Sequence, residues 1–597
     1  MKTLFFRTKS RITMDSDRLD KGFKMKNDRT GVKSAYRAME LLELLSLHVD
    51  GLKFAEIVKA MGLAKSTGFE LIHTMEKLKY ISFSKTDKKY RITSKILSIG
   101  ANYVGQSPEL QHAKQIMSQL YEMSGATVKL AVLSDQQVVI IEQLDARGSG
   151  LNPSAPAFKI HPLKAGSLGK ALLSRHKKSE LKKMFDELVQ SEGSDAAPRT
   201  WAEFCLDIEE IEKFGLAFET SKPDFGKYSA SIPIYNFAGE VVAAVGVFFD
   251  QGNLTYERIK ALIIDMIEKF AARESAPAGG LPRNSKKTVY VTLPNLSTPK
   301  SIEYLRTIEN ERMRIDAEFY LSACHDNECK QQLFLELMIK YYRPDCIVIC
   351  PVNAVNSDRL FQIAAQNGIP AVCFLRPSRS RHVEYYVGGN SYQQGILQME
   401  YVARRLKGRG NIVILEGDPY NDNARNIVLG NHEVLRKYPQ LQVLLSVPIH
   451  QWRKEEAKAV ISEIIAKGMK FDAVLAGNDH MALGVIEELR KHKLNGKVIV
   501  VGGDGDWTAI EPVKNRVLHA TVFQYPHEVT IMMMKLAADL AHNRLNEIDL
   551  PKRFLLNDGY PGKEVRICEV EYDLIDRTNI QKLEDYWKTK MESFVMG

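Results

Sequence analysis

Lys65, Ser66, Thr67 and His73 lie within one short segment of the chain. Side chains of these types meet the edges of DNA bases, since lysine donates to guanine and hydroxyls donate or accept. A second basic group, Lys88, Lys89 and Arg91, follows closely; such cations sit on phosphate, which adds affinity without sequence information. Other chemistries find less support. Cys324 and Cys329 flank His325, and Cys346 and Cys350 stand four apart, spacings that invite a zinc reading. The second pair lies on an apolar strand whose alternate residues face opposite sides, which disfavours tetrahedral convergence. Gly502-Gly503-Asp504-Gly505 lacks the Lys-Ser/Thr of a phosphate loop, and its acid would repel phosphate. No nucleophile elbow, kinase set or paired-carboxylate site stands out. The expectation is no metal, no cofactor and no enzymatic activity.

Elements that could aim the two basic groups are legible around them. From Ser34, Ala38, Leu41, Leu42 and Leu45 recur at helical spacing, and Gly51 ends that helix. Phe54 to Met61 reads as a second, short helix, Gly62 as a turn, and Leu63–Gly68 leads into a third helix with Phe69, Ile72, Met75 and Leu78 three apart on one face. This is the order of a helix-turn-helix, whose third helix enters the major groove by its first turns. Residues 80–83 and 90–93, joined by a basic tip, read as a hairpin wing. Residues 31–96 therefore form a winged helix-turn-helix expected to bind operator DNA.

Charge agrees with that placement. Residues 1–93 hold 20 Lys and Arg against 11 Asp and Glu, and the whole chain has a net charge of +9, so the remainder is balanced. An anionic partner is met at the N-terminal end. The first 30 residues form a basic tail, either an arm on phosphate or a solubilising extension, with Met14 and Met25 as alternative starts. Leu4-Phe5-Phe6 is broken by Arg7, so no signal peptide is read, no stretch reaches a membrane span, and seven sparse cysteines suit a reducing compartment. A cytoplasmic location without membrane contact is expected. At 597 residues the chain is too long for one core.

The segments "RAMELLELLS", "EIVKAMGLAKSTGFELIHTMEKLKYI" and "YRIT" resemble the isocitrate-lyase-regulator (IclR) family of bacterial transcription factors. Glu70 stands where that family usually has Arg; it either caps Thr67 in a Thr-x-x-Glu box or accepts from a cytosine amino group. After a linker helix at 97–117, "IHPLKAGSLGKALLSR" and "SIPIYNFAGEVVAAVGVFF" resemble the same family's effector domain, which implies a GAF-like α+β domain over 118–274. Its pocket departs from the pattern at Lys164 and at Ser229-Ala230, leaving a working sensor and a dimerisation domain as alternatives. Small residues with Pro and Gly mark a linker at 275–286.

From Lys287 strands alternate with helices, which predicts two doubly wound lobes and a ligand cleft at the carboxyl ends of their strands. "GIPAVCFLR", "YYVGGNSYQQG", "VILEGDPYNDNARNIVLGNHEVL", "FDAVLAGNDHMALGVIEEL", "VVGGDGD" and "ATVFQYP" resemble, in order, the sugar-binding periplasmic binding proteins of the ribose and galactose type, relatives of the lactose-repressor sensor. The resemblance covers 287–597 and implies polar ligand contacts at Arg376, Arg425, Asn478, Asp504 and Gln524, with Trp452 stacking on a sugar face. It also departs. Leu375 replaces an Asp that usually precedes the first Arg, and Leu296-Ser297-Thr298 replaces paired aromatics, which points to a different or anionic ligand.

The expected whole is a multidomain α/β protein: a winged helix-turn-helix, a GAF-like domain and a two-lobed sensor. Its expected function is transcriptional regulation by a sugar-like effector, as a homodimer or dimer of dimers. The alternative is a ligand-binding or scaffold protein that no longer reads DNA.

Overall fold

The computed structural model describes residues 32–595, apart from Val49, 147–158, 193–199, 221–226, Phe237, 251–254, 271–285, Ser297, 545–551 and 555–563. The basic tail at 1–30 and most of the 275–286 linker lie outside the described residues. Two compact units are separable, Met1–Gln111 and His112–Gly597.

The first unit contains the helices Lys33–Ser46, Phe54–Ala60 and Lys65–Lys77 and the antiparallel hairpin Ile81–Ser84 with Lys89–Ile92. Leu41, Leu45, Ile57, Ile72 and Ile81 form its buried core. Gly68 is required where the second and third helices cross, because a Cβ there would lie 2.6 Å from Val58 Cγ2. The three-residue apolar repeat is only half realised. Ile72 and Met75 are buried, but Phe69 is 62% exposed and Leu78 49%. Steps of three residues fall short of a 3.6-residue turn, so the row winds off the core face at both ends. The linker helix expected at 97–117 is two helices, Ser94–Gln106 and Pro108–Ser124. Ser107 between them is extended (φ −96°, ψ 113°), the conformation that a following proline enforces.

In the second unit, residues up to Lys269 build a six-stranded antiparallel sheet. Its central strands are Thr127–Ser134 and Val241–Asp250, and Ala217–Thr220 forms one edge. The helix Gly166–Leu173 lies on this sheet with Ser167 to Leu173 all buried. The helix Trp201–Phe214 begins with a reciprocal Thr200–Glu203 capping box and ends at Gly215 in the left-handed conformation (φ 66°).

The remainder forms two lobes, each a parallel sheet with one antiparallel edge strand. The first contains Thr288–Leu293, Glu318–Ala323, Cys346–Ile349, Ala371–Phe374 and Tyr385–Gly389; the second contains Arg409–Gly417, Gln440–Pro448, Ala473–Ala476, Ile499–Val501 and Ala520–Phe523. The chain crosses between them after Gly389, at Gln524 and at Tyr572, since the helix Pro526–Ala541 returns to the first lobe's core and the strand Asp573–Asp576 rejoins the second sheet. Strand ends, and hence their loops, face each other across a cleft.

Candidate ligand cleft and nucleic-acid interface

On the third helix, Lys65, Ser66, Glu70 and His73 are exposed and Thr67 is half-buried. The helix starts at Lys65 with Ala64 as N-cap and no side-chain cap. Thr67 is thus inside the first turn, and its capping box with Glu70 does not form. Phe69, expected from the sequence on the apolar face of this helix, instead stacks on His73 at the surface, with ring centroids 6.0 Å apart and planes 5° from parallel. An exposed aromatic pair beside Lys65 and Ser66 gives this face apolar contact area as well as donors. Lys88 is exposed at the hairpin tip in the left-handed region (φ 57°), and Lys89 is half-buried beside it. Arg91 is different: it pairs with Asp87 at 2.5 Å and donates to Asp50 O at 2.7 Å. The Arg91 guanidinium holds the Asp87 carboxyl well below its ordinary range. Arg91 therefore braces the hairpin, so of the three cations expected on phosphate its guanidinium is already engaged inside the protein.

Between the lobes lies a cleft of about 1210 Å³, large for a small-molecule site. Arg376, Trp452, Asn478, Asp504 and Gln524 all line it. Arg425 does not line it, which corrects the carried-over assignment. It sits half-buried in the helix Asp422–Leu435. Asn423 and Ile427 of that helix face the cleft, and a residue two positions from Asn423 lies about 200° around the axis. The motif was placed well, but its arginine is on the wrong face.

Trp452 owes its position to two glycines. A Cβ at Gly417 would stand 2.3 Å, and one at Gly477 2.6 Å, from its Cζ3. With neither present, the indole lies against bare backbone, a flat apolar surface in the cleft wall. Asn478 caps the helix Asp479–Lys491, Oδ1 accepting from Met481 N at 2.9 Å; what it offers a ligand is its amide NH2. Asp504 is held in the left-handed region (φ 90°). Arg376 donates through Nη1 to Pro351 O and Val352 O at 3.3 and 3.4 Å.

Lys300 went unread in the sequence. It stands in the first turn of the helix Pro299–Glu311, and its Nζ donates to Asp504 Oδ1 at 2.5 Å and Gln524 Oε1 at 2.6 Å. Burial pulls the ammonium down in pKa, but Asp504 outweighs it and raises the group, so it stays charged. The pair ties the first lobe to the second across the cleft. Behind it, burial first and Asp504 second push the Asp506 carboxyl up to about 7. Polar side chains, one indole and an interlobe ion pair make a site that can bind and orient a hydroxyl-rich molecule.

The cleft also touches the preceding domain. Thr220 lines it, and His325, another lining residue, places Nε2 2.9 Å from Asp207 Oδ1. Asp207 accepts from Lys330 at 2.9 Å and pairs with Lys170, which also meets Glu219. Glu203, Asp207 and Glu210 fall at i, i+4 and i+7, one face of the helix Trp201–Phe214. Glu203 Oε1 accepts from Leu296 N at 3.0 Å and Glu210 meets Lys330 at 3.1 Å. Burial pushes Asp207 up in pKa, but His325, Lys170 and Lys330 outweigh it and hold the carboxyl well below its usual range. Edge-on aromatic contacts of Phe214 with Phe334 and Tyr342, both at 5.6 Å, continue the seam. In this domain Lys164 is exposed, whereas Ser229 is buried and accepts from Ser167 at 2.8 Å. The cysteine–histidine group read as a zinc possibility is spent elsewhere: Cys324 Sγ lies 3.0 Å from Thr292 Oγ1 and His325 faces Asp207.

Comparisons with known proteins follow the same division. Residues 34–84 match the IclR helix-turn-helix domain, 101–275 the bacterial transcriptional regulator IclR C-terminal domain, and 309–545 a periplasmic binding protein domain. The HTH-type transcriptional regulator XynR of Escherichia coli is 25% identical over 216 residues, 36% of this chain and 85% of the relative. The D-xylose-binding periplasmic protein of Haemophilus influenzae is 25% identical, over 47% of this chain and 84% of the relative. The ribose import binding protein RbsB of Bacillus subtilis is 25% identical, over 45% and 87%. Among the described residues no helix is long and apolar enough to cross a membrane. The chain therefore carries the helix-turn-helix and C-terminal domains of IclR-type transcriptional regulators, joined to a two-lobed periplasmic-binding-protein domain.

Proposed function

We propose that the chain binds operator DNA as a homodimer in the cytoplasm, and that a sugar-like ligand in the interlobe cleft sets its affinity for that DNA without any catalytic step. The observation that carries this reading is the convergence of Trp452, Asn478, Asp504 and Gln524 in one cleft. An apolar disc beside hydrogen-bonding groups suits a sugar, which has a C–H face and hydroxyls that donate and accept. Relatives of this half named for binding xylose and ribose support the ligand class. Lys65, Ser66, Glu70 and His73 on the exposed helix face, with Phe69 beside them, support base reading.

The middle domain acts in this reading as the transmitter. Its helix Trp201–Phe214 is joined to the first lobe by buried charges and aromatic contacts, so closure moves the second lobe against a body that already includes the middle domain. The resulting coupling is limited by the ligand's differential affinity for the two arrangements, about 1–3 kcal/mol. The test is an electrophoretic mobility shift with the promoter next to the gene, with and without D-xylose, D-ribose and their acids. A shift that needs residues 32–96 and changes with one of these compounds supports the proposal. A full chain that shifts no more than one lacking residues 1–96 refutes it.

A further inference from the structure

The floor of the cleft offers a ligand more hydrogen-bond donors than acceptors. Gln524 is committed at both ends, Oε1 to Lys300 and Nε2 to Gln394 Oε1 at 2.8 Å, while Gln394 Nε2 donates to Gly477 O at 2.9 Å. Asn478 Oδ1 takes Met481 N, Asn423 Oδ1 takes Ser391 Oγ, and Asp504 Oδ1 takes Lys300. Donors remain. Burial raises the pKa of the phenols of Tyr304 and Tyr572, which line the cavity, so both keep their protons. Asn478 has its amide NH2. Arg376 has a full guanidinium whose partners among the described residues are two carbonyls at 3.3 and 3.4 Å, with no carboxylate.

The residue before that arginine is Leu375, also in the cleft wall and held at φ 58°. An acid at this position would give the guanidinium a counter-charge; leucine gives it none. The cavity's other carboxylates are already met inside the protein. Asp326 takes Asn295, Glu328 takes Asn353 and Asn356, Asp418 takes two backbone N–H groups, and Glu456 takes His450. A neutral sugar must place hydroxyl protons as well as lone pairs, and here most of the side-chain acceptors already take a proton from the protein. A carboxylate or phosphate only accepts, and bidentate pairing with arginine is its strongest partnership.

We infer that the cleft selects a polyhydroxylated anion, its acidic group on Arg376 and its hydroxyls between Trp452, Asn478 and the second oxygen of Asp504. This rests on the reading of the cleft as a sugar-like ligand site and names the class within it. The test is calorimetry on the full chain with matched pairs, D-xylonate against D-xylose and D-gluconate against D-glucose, with D-glucose 6-phosphate as the phosphate arm. The acid of a pair, or the phosphate, is expected to bind about tenfold tighter or more, as a charge-assisted bond implies, and the advantage should shrink as salt rises. Arg376→Gln should abolish the advantage, so that an acid and its neutral sugar then bind within about threefold of each other. Leu375→Asp keeps the guanidinium but supplies its counter-charge, and should abolish the advantage too. A neutral sugar that binds as tightly as its acid and its phosphate overturns this inference and leaves the sugar-like cleft standing. Binding by none of the five compounds overturns both.

Discussion

His325 and Asp207 meet at 2.9 Å across the boundary between two domains, His325 in the wall of the ligand cleft and Asp207 on the helix of the middle domain. Both side chains are buried, at 0% and 3% exposure. Lys170 and Lys330 neutralise the same carboxylate from opposite domains. A buried charge so surrounded fixes how the two surfaces register, because any other docking would strand it.

Removing that charge should therefore loosen the seam. Asp207→Asn keeps the volume but leaves Lys330 and Lys170 each short of a partner, and should cost about 3–5 kcal/mol. Chemical denaturation of the full chain measures it. A loss below about 1 kcal/mol would place the seam's strength in Phe214, Phe334 and Tyr342 instead.

The interface with DNA divides into reading and anchoring residues. Lys65→Ala should weaken operator binding selectively, while Lys88→Ala should weaken all duplexes and lower the salt slope by about one. Arg91→Ala should leave that slope nearly unchanged, since its guanidinium is occupied by Asp87 and Asp50 O. Mobility shifts over a range of salt concentrations separate the three.

The stacking surface can be disturbed without touching a polar contact. Gly477→Ala drives a methyl group to within 2.6 Å of Trp452 Cζ3, so the indole must tilt. Ligand affinity should fall about tenfold, the scale of a lost aromatic contact with its misalignment, and Trp452→Ala should match it. Calorimetry with the tightest of the sugars and sugar acids named above provides the measurement; unchanged affinity in both variants would remove Trp452 from the site.

Asp506 gives a pH dependence whose sign can be worked out. Its carboxyl is raised to about 7 in the folded chain from 3.8, so the folded state holds a proton that the unfolded state has released. Stability must then fall as pH rises from about 4 to about 7. Asp506→Asn removes this contribution, and should leave the melting temperature near that of the native chain at pH about 5 while raising it at pH about 8. Equal shifts at both values would mean that Asp506 is ionised throughout. Asp207 has the opposite sign: its lowered carboxyl contributes stability at neutral pH that is lost only in acid.

Much of this protein is written locally. The helices around Leu41 and Ile72, the hairpin and the alternation after Lys287 follow from periodicity and turn residues, where nearby residues decide the outcome, whereas the cleft positions of Arg376, Trp452, Asn478, Asp504 and Gln524 are implied by the resemblance of their motifs to sugar-binding periplasmic binding proteins. What sequence could not decide depends on side chains meeting from distant segments. Lys300 and Asp504 are 204 positions apart, and no spacing rule links them. Arg425 sits in a well-placed motif yet faces away, because helix phase is set by where Asn421 caps it. Arg91, expected on phosphate, meets Asp87 and Asp50 O in the folded chain, and Asp50 lies 41 positions away. The acidic stripe Glu203, Asp207, Glu210 has a spacing of i, i+4, i+7, which a solvated face and a buried seam share. Only the docking of His325 and Lys330, whose burial makes unpaired charge intolerable, distinguishes them.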